Sequence, residues 1–220
     1  MAASFWSPVL LSAQIAVVST MIVALAGISA AVFMAKRSFK GKVLLETFLL
    51  LPLVFPPSVT GFLLIVVFGT RSPAGQLILT IFGSPVMFTW WAGVIASSVV
   101  AFPLMYQAVK TGLQAIDGDI EDAAKVDGAG AGKVIWHISL PLALSSILTG
   151  LILSFARALG EFGATLMFAG NIPGKTQTVP TAIYMAIESG DMELAWMWVL
   201  TIVALSFIML AAVSFHSSRK

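Results

Sequence analysis

The chain has 220 residues, 59% hydrophobic and only 10% charged, with mean hydropathy +0.99. Soluble domains carry roughly 25% charged residues, so these totals exclude an ordinary soluble protein and fit one integral membrane domain. The net charge is +2 and cysteine is absent, which excludes a disulfide framework and a thiolate metal site and gives no footing for a nucleic-acid partner.

The opening residues, Met-Ala-Ala-Ser-Phe-Trp-Ser-Pro, contain no Lys or Arg and so lack the n-region of a signal peptide. A spanning helix needs about 20 mostly apolar residues. The first such stretch is Val9 to Met34, where Gly27, Ala24, Ala26, Ser29, Ala30 and Ala31 suit close helix packing in lipid. The second, Val43 to Phe68, is interrupted by Pro52, Pro56 and Pro57. Proline removes a donor and clashes with the preceding turn. Broken backbone at membrane depth is tolerated where it is buried in protein or lines a watery cavity. The segment is therefore a pore or gate element, or a kinked helix.

Residues 68 to 86 hold Gly69, Arg71, Pro73, Gly75, Gly83 and Pro85 and read as an outer loop. Within it, Leu77 to Phe82 is too short to span and reads as an interfacial or re-entrant helix. The third span runs from Val86 to Val109, with Trp90 and Trp91 at its outer edge and a kink expected at Pro103. The fourth, Leu142 to Phe168, carries Arg157 and Glu161 four residues apart, which on a helix places both on one face. A lone charge at mid-bilayer costs about 2.5–3.5 kcal/mol on insertion scales. The pair is either a salt bridge that holds the bundle, or Arg157 lines an anion path or locks a gate. A Pro/Gly loop at 170–180, a short helix at Thr181 to Ile187 and an acidic turn at 188–193 precede the fifth span, Ala195 to Phe215.

Between the third and fourth spans lies the most polar, Gly-rich stretch of the chain, residues 121–141. It reads as a helical piece (Ile116 to Val126), a glycine break (Gly128, Gly130, Gly132) and a second helical piece (Lys133 to Leu140) ending at Pro141. Such a helix-turn-helix knob suits docking with a partner in water. If the knob is cytoplasmic, Lys36, Arg37, Lys40, Lys42, Lys110, Lys125, Lys133, Arg219 and Lys220 all lie inside, and only Arg71 and Lys175 lie outside. The positive-inside rule thus puts the N-terminus outside and the C-terminus in the cytoplasm, with Arg219–Lys220 as an inner anchor.

Catalytic motifs are missing. His137 and His216 have no Cys, Asp or Glu at metal-ligand spacing. The run Gly128-Ala-Gly-Ala-Gly-Lys133 follows no predicted strand and lacks a Ser or Thr after its Lys, so it is no nucleotide loop. Energy-requiring work would need an ATPase on another chain. A self-sufficient carrier or channel would show inverted repeats or several buried ion-coupling groups, and only Arg157 and Glu161 are of that kind.

Asp122-Ala-Ala124, Gly128 after three residues, and Ile138-Ser-Leu-Pro141 after nine more resemble the "EAA" loop of ABC-importer permeases, with Asp122 in the Glu place and Glu121 just before it. Leu51-Pro-Leu-Val-Phe-Pro-Pro57, Phe155-Ala-Arg-Ala-Leu-Gly-Glu-Phe-Gly-Ala-Thr165 and Asn171-Ile-Pro-Gly-Lys-Thr176 resemble the molybdate branch, with sulfate/thiosulfate permeases as nearest relatives. The resemblance covers essentially the whole chain. It implies an all-α type I importer permease fold over residues 9–215, with about five spans and a cytoplasmic coupling loop at 111–142. It implies a homodimer in the cytoplasmic membrane of a prokaryote, two ATPase subunits that hold ATP and Mg, and an extracytoplasmic oxyanion-binding protein. This chain itself would bind no cofactor and catalyse nothing.

In that scheme Glu121, Asp122 and Asp127 offer carboxylates to the ATPase. Ala123 and Ala124 allow close docking, Gly128 permits the turn, and Ile138, Leu140 and Pro141 pack the knob onto the spans. The path or gate would involve Pro56, Pro57, Ser58, Thr60, Arg157, Glu161 and Thr165. Neutral hydroxyl donors suit a tetrahedral dianion in transit, because a tight charged site would trap it.

Overall fold

The computed structural model describes residues 2–217, so the expected anchor at Arg219–Lys220 lies outside the described residues. Among them every regular element is helical, as a mostly apolar chain requires when its backbone groups must be satisfied within each segment. The elements are α1 (Ala2–Ala35), α2 (Lys42–Val54), α3 (Pro57–Phe68), α4 (Pro73–Phe82), α5 (Trp90–Gln114), α6 (Gly118–Val126), α7 (Ala131–Val134), a π-helical turn (Ile135–Ser139), α8 (Leu140–Leu142), α9 (Leu144–Leu159), α10 (Gly163–Phe168), α11 (Val179–Glu188) and α12 (Met192–Ser217).

Phe5–Ala35 and Trp90–Gln114 are each long and apolar enough to cross a membrane. Two further candidates qualify only as broken pairs: α2 with α3, and, within the second of the two units described below, Ala131–Leu142 with α9, bent at 68°. The apolar run Met192–Ile208 of α12 is shorter.

Several sequence expectations are corrected here. Pro52 does not interrupt the second span, because α2 runs through it to Val54 and the break falls at Phe55–Pro56. Two successive prolines remove two donors, which a single one does not. The third span begins at Trp90 rather than Val86, and Pro103 lies inside its helix, α5. The fourth span is not one helix to Phe168: α9 ends at Leu159, and α10 starts at Gly163. The knob's second limb runs one residue beyond Pro141, to Leu142, before the chain bends into α9.

The chain divides into two compact units, one of residues 1–19, 55–97 and 156–220, the other of residues 20–54 and 98–155. The first is cored in part by Val179, Ala182, Ala186, Ala195 and Trp198, with Phe5 stacked on Trp198 at 5.9 Å. The Trp198 indole N–H donates to the Phe5 carbonyl at 3.1 Å, which satisfies its one polar group.

The second unit is centred on α5, whose Met105, Tyr106 and Val109 are fully buried. Small residues bring its neighbours close. A methyl group on Gly27 of α1 would lie 2.8 Å from Met105 Cγ, and one on Gly150 of α9 2.7 Å from Met105 Sδ. Apolar attraction between helices is absent in lipid, so such close packing is what holds them. The ion pair Lys110–Glu46, at 2.8 Å, adds a polar tie between α5 and α2.

Candidate functional site

Two sets of residues stand out, and each lies within one unit. The first is the knob of α6 to α8, in the second unit. Asp117 opens α6, its Oδ1 accepting the Asp119 amide at 3.1 Å. Asp119 and Glu121 put negative charge in the first turn and Lys125 positive charge in the last, as the helix dipole favours. At the far end Gly128 has φ +88°. Its amide bonds the Lys125 carbonyl and the Ala129 amide bonds the Ala124 carbonyl, the paired closure of a Schellman motif. An added Cβ on Gly128 would meet nothing within 4 Å, so glycine is needed there for its backbone conformation alone. Of the three expected break glycines only Gly128 has a positive φ. Gly130 caps α7 in an extended conformation and Gly132 lies within α7.

The two adjacent acids face different ways, because neighbours on a helix are about 100° apart. Glu121 is buried. Its carboxylate is ion-paired with Lys36, just past the end of α1, and accepts the Ser139 hydroxyl at 2.6 Å. Burial pushes its pKa up, but the hydrogen bonds from Lys36 and Ser139 and the Lys36 charge outweigh that and hold it below the ordinary glutamate value. The expectation that Glu121 offers its carboxylate to a partner is therefore corrected: its oxygens are engaged inside the chain. Asp122 is exposed and bonds Lys125 Nζ at 2.7 Å, and this contact lowers the Asp122 pKa and raises that of Lys125.

Asp127 is exposed at the C-cap of α6 and forms no ion pair among the described residues. A carboxylate is disfavoured at that negative end of the dipole, so it gains most from an external cation. Ala123 is exposed and Ala124 half-buried.

In the second limb Ile138 and Leu140 are half-buried and Pro141 is exposed, while Val134, Ser139 and Ala143 are the buried positions. The expected packing by the Ile-Ser-Leu-Pro end is thus shifted. The π turn closes with the Leu140 amide on the Ile135 carbonyl, one residue beyond an α-turn. That offset changes which side chains face inward. Ile120, Val126 and Trp136, which no motif in the sequence marks, stand exposed on the knob, Val126 at 87% and Trp136 at 72%. Their signal was large apolar side chains inside the most polar stretch.

The second set is the seam of α3 and α10, in the first unit. A Cβ on Gly61 would lie 2.8 Å from Met167 Cβ and 3.1 Å from Ala164 Cα, and one on Gly163 2.8 Å from Pro57 Cβ. The two short helices therefore meet nearly backbone to backbone. Pro57 is in the first turn of α3, whose N-terminus, after Pro56, has no side-chain cap. Pro56, Pro57 and Ser58 are exposed. Thr60 and Thr165 are buried, and neither hydroxyl has a hydrogen-bond partner among the described residues.

Arg157 and Glu161 do form the expected pair, Nη1 to Oε2 at 2.6 Å. The geometry differs from a shared helical face, because Glu161 lies in the non-helical link after α9. Its other oxygen accepts the Ala164 amide at 2.8 Å in the first turn of α10. One carboxylate thus joins the last turn of α9 to the start of α10 and supplies the cap that Phe162 does not.

The comparisons with known proteins agree over nearly the whole chain. Residues 12–220 match the family described as binding-protein-dependent transport system inner membrane component. YvgM of Bacillus subtilis (strain 168), whose name assigns it provisionally as a molybdenum transport system permease protein, is 62% identical over 209 residues, which is 95% of this chain and 92% of that protein. The molybdenum transport system permease protein ModB of Escherichia coli (strain K12) is 42% identical over 184 residues, 84% of this chain and 80% of its own. Among solved structures, a bacterial ABC transporter involved in the import of the acidic polysaccharide alginate superposes with TM-score 0.78 at 17% identity, covering 98% of this chain and 79% of that one. At that identity the match shows a shared fold.

Proposed function

The chain belongs to the family of binding-protein-dependent transport system inner membrane components, and from that premise we propose that it is the permease subunit of an ATP-driven importer of molybdate. The observation that carries the substrate is the identity to proteins named for molybdenum transport, 62% to YvgM, whose name is provisional, and 42% to ModB of Escherichia coli (strain K12). The family places the chain in a membrane as a transport component that works with an ATPase and a binding protein. In the finer reading two copies pair in the cytoplasmic membrane of a prokaryote. Five segments cross it, the second as α2 with α3, and the N-terminus is outside. Two ATPase subunits dock on the knobs from the cytoplasm, and an extracytoplasmic oxyanion-binding protein delivers the substrate.

The knob would couple the two activities. Asp122 and Asp127 present the carboxylates, Ala123 the low-relief surface, and Ile120, Val126 and Trp136 the apolar anchors that charged groups alone do not supply. The seam would form the path. Molybdate is a tetrahedral dianion, and the uncapped N-terminus of α3 carries positive partial charge. Ser58, exposed beside it, offers a neutral donor that holds the anion weakly enough to release it, and the buried hydroxyls of Thr60 and Thr165 would join it only when the seam opens. Arg157 is tied to Glu161, which limits its pull on the substrate and suits a structural lock.

The test is uptake into proteoliposomes that hold the permease, its ATPase and its binding protein, with molybdate and sulfate supplied in parallel. ATP-dependent molybdate uptake in excess of sulfate uptake is expected. Preferred sulfate uptake would reassign the substrate, and uptake without the ATPase would overturn the importer reading.

A further inference from the structure

The two adjacent acids at the start of the knob do not share one task. Glu121 is almost fully buried on α6, yet it is charged, and three separate segments meet at its carboxylate. Lys36, immediately after α1, supplies the counter-charge, and Ser139, in the π turn of the opposite limb, donates its hydroxyl at 2.6 Å. The Ser139 hydroxyl has a second, longer contact to the Val134 carbonyl at 3.4 Å. Close by, the Gln114 side-chain amide at the end of α5 donates to the Ala35 carbonyl at 3.4 Å.

The rest of the knob is not anchored in this way. Asp122, Lys125 and Asp127 are exposed, and the added-Cβ positions at Gly118, Gly128, Gly130 and Gly132 face open space. A loop whose tip meets a partner transmits force only if its root is fixed. The Glu121 carboxylate is buried while Lys36 keeps 41% of its side chain exposed, so what makes this tie directional is the carboxylate's dependence on both partners: removing either leaves a buried acceptor short of a bond.

We infer that Glu121 is a positioning residue rather than a docking group. With Lys36 and Ser139 it forms a latch that fixes both limbs of the knob to the end of α1. A displacement imposed on Asp122 and Asp127 by the ATPase then moves α1 instead of bending the loop. The inference rests on the proposed coupling role of the knob and assigns that role its transmitting residue. The π turn has a place in it. By inserting an extra residue per turn it brings Ser139 to Glu121, where an α-helical register would turn a neighbour inward.

The experiment uses the assembled permease, ATPase and binding protein with molybdate as probe, and the purified permease alone for amide exchange. Glu121→Gln lowers molybdate imported per ATP hydrolysed about tenfold, and Ser139→Ala about threefold, in the range that residues carrying coupling show. The ATPase still co-purifies with both variants. Amide exchange across residues 118–142 speeds up in both, and the exchanged pair Lys36→Glu with Glu121→Lys restores exchange and coupling toward wild type. Unchanged amide exchange in Glu121→Gln and Ser139→Ala would overturn the latch. So would loss of the ATPase from Glu121→Gln with no rescue by the exchanged pair. Because amide exchange needs no transport, a wild-type assembly that imports sulfate instead overturns the substrate reading alone and leaves the latch to its own readout.

Discussion

The root of the knob and the α3–α10 seam solve the same problem, holding two short helices in a fixed relation, by opposite means. At the root the tie is ionic: a buried carboxylate, an ammonium and a hydroxyl. In the seam it is steric: Gly61 and Gly163 let backbones approach to distances at which a methyl group would collide. The difference follows the surroundings that each region has in the proposed topology. Near water, charged groups can be desolvated in part and repaid by directional bonds. At membrane depth an unpaired charge is expensive, so close packing of small residues replaces it. The exception in the first unit, Arg157–Glu161, obeys the same rule, since its carboxylate is fully engaged by Arg157 and by the Ala164 amide.

The comparison breaks first at that exception. Glu161→Ala removes the partner of a partly buried guanidinium and the cap of α10 together. It should cost about 3 kcal/mol, less than a wholly buried pair because Arg157 keeps about a third of its side chain exposed. Thermal unfolding of the purified permease measures this, and an unchanged midpoint would remove the pair from the account. Next is Gly61→Ala. The added methyl would meet the Ala164 backbone, which cannot rotate away, so overpacking should cost about 2 kcal/mol and depress uptake more than expression. If Gly61→Ala transports normally, the tightness of the seam is irrelevant to passage.

Gly128→Val sharpens the knob side. With open space around the added side chain, only the left-handed backbone is penalised, about 1–2 kcal/mol. Global stability should change little, whereas ATP-driven uptake should fall. Intact uptake and intact ATPase docking would refute the coupling assignment. The smallest expected effect is a pH dependence. The Glu121 carboxyl is lowered in the fold, so its contribution is full above the unfolded-state value, about 4.3, and is lost as pH falls through the lower folded value. Amide protection of α6 should hold at neutral pH and decline only in acid below the usual carboxylate range. Glu121→Gln should show no such decline.

Much of this was legible in the sequence because it is local. The Schellman closure needs one glycine at a fixed offset from a helix, and Gly128 stands there. The break of the second span needed adjacent prolines, although their number misled about Pro52, which a helix accommodates. Hydropathy makes the fourth span too long, because apolar composition continues past Leu159 while the helix does not. Hydropathy reports the environment of a segment and is blind to a three-residue interruption that a side chain caps.

The class of molecule, the knob, its turn and the family motif follow from composition or from spacing within a few turns of chain. Which of two neighbouring acids faces inward follows from packing, because it depends on Lys36, far away in the chain, and on a π turn that no periodicity announces. Packing also decides that Glu161 bonds Arg157 from outside the helix. Glycines spaced for close approach are visible in a sequence. What they approach is set by the packing of distant segments, and Gly61 against Ala164 and Gly27 against Met105 are known only once the helices are placed.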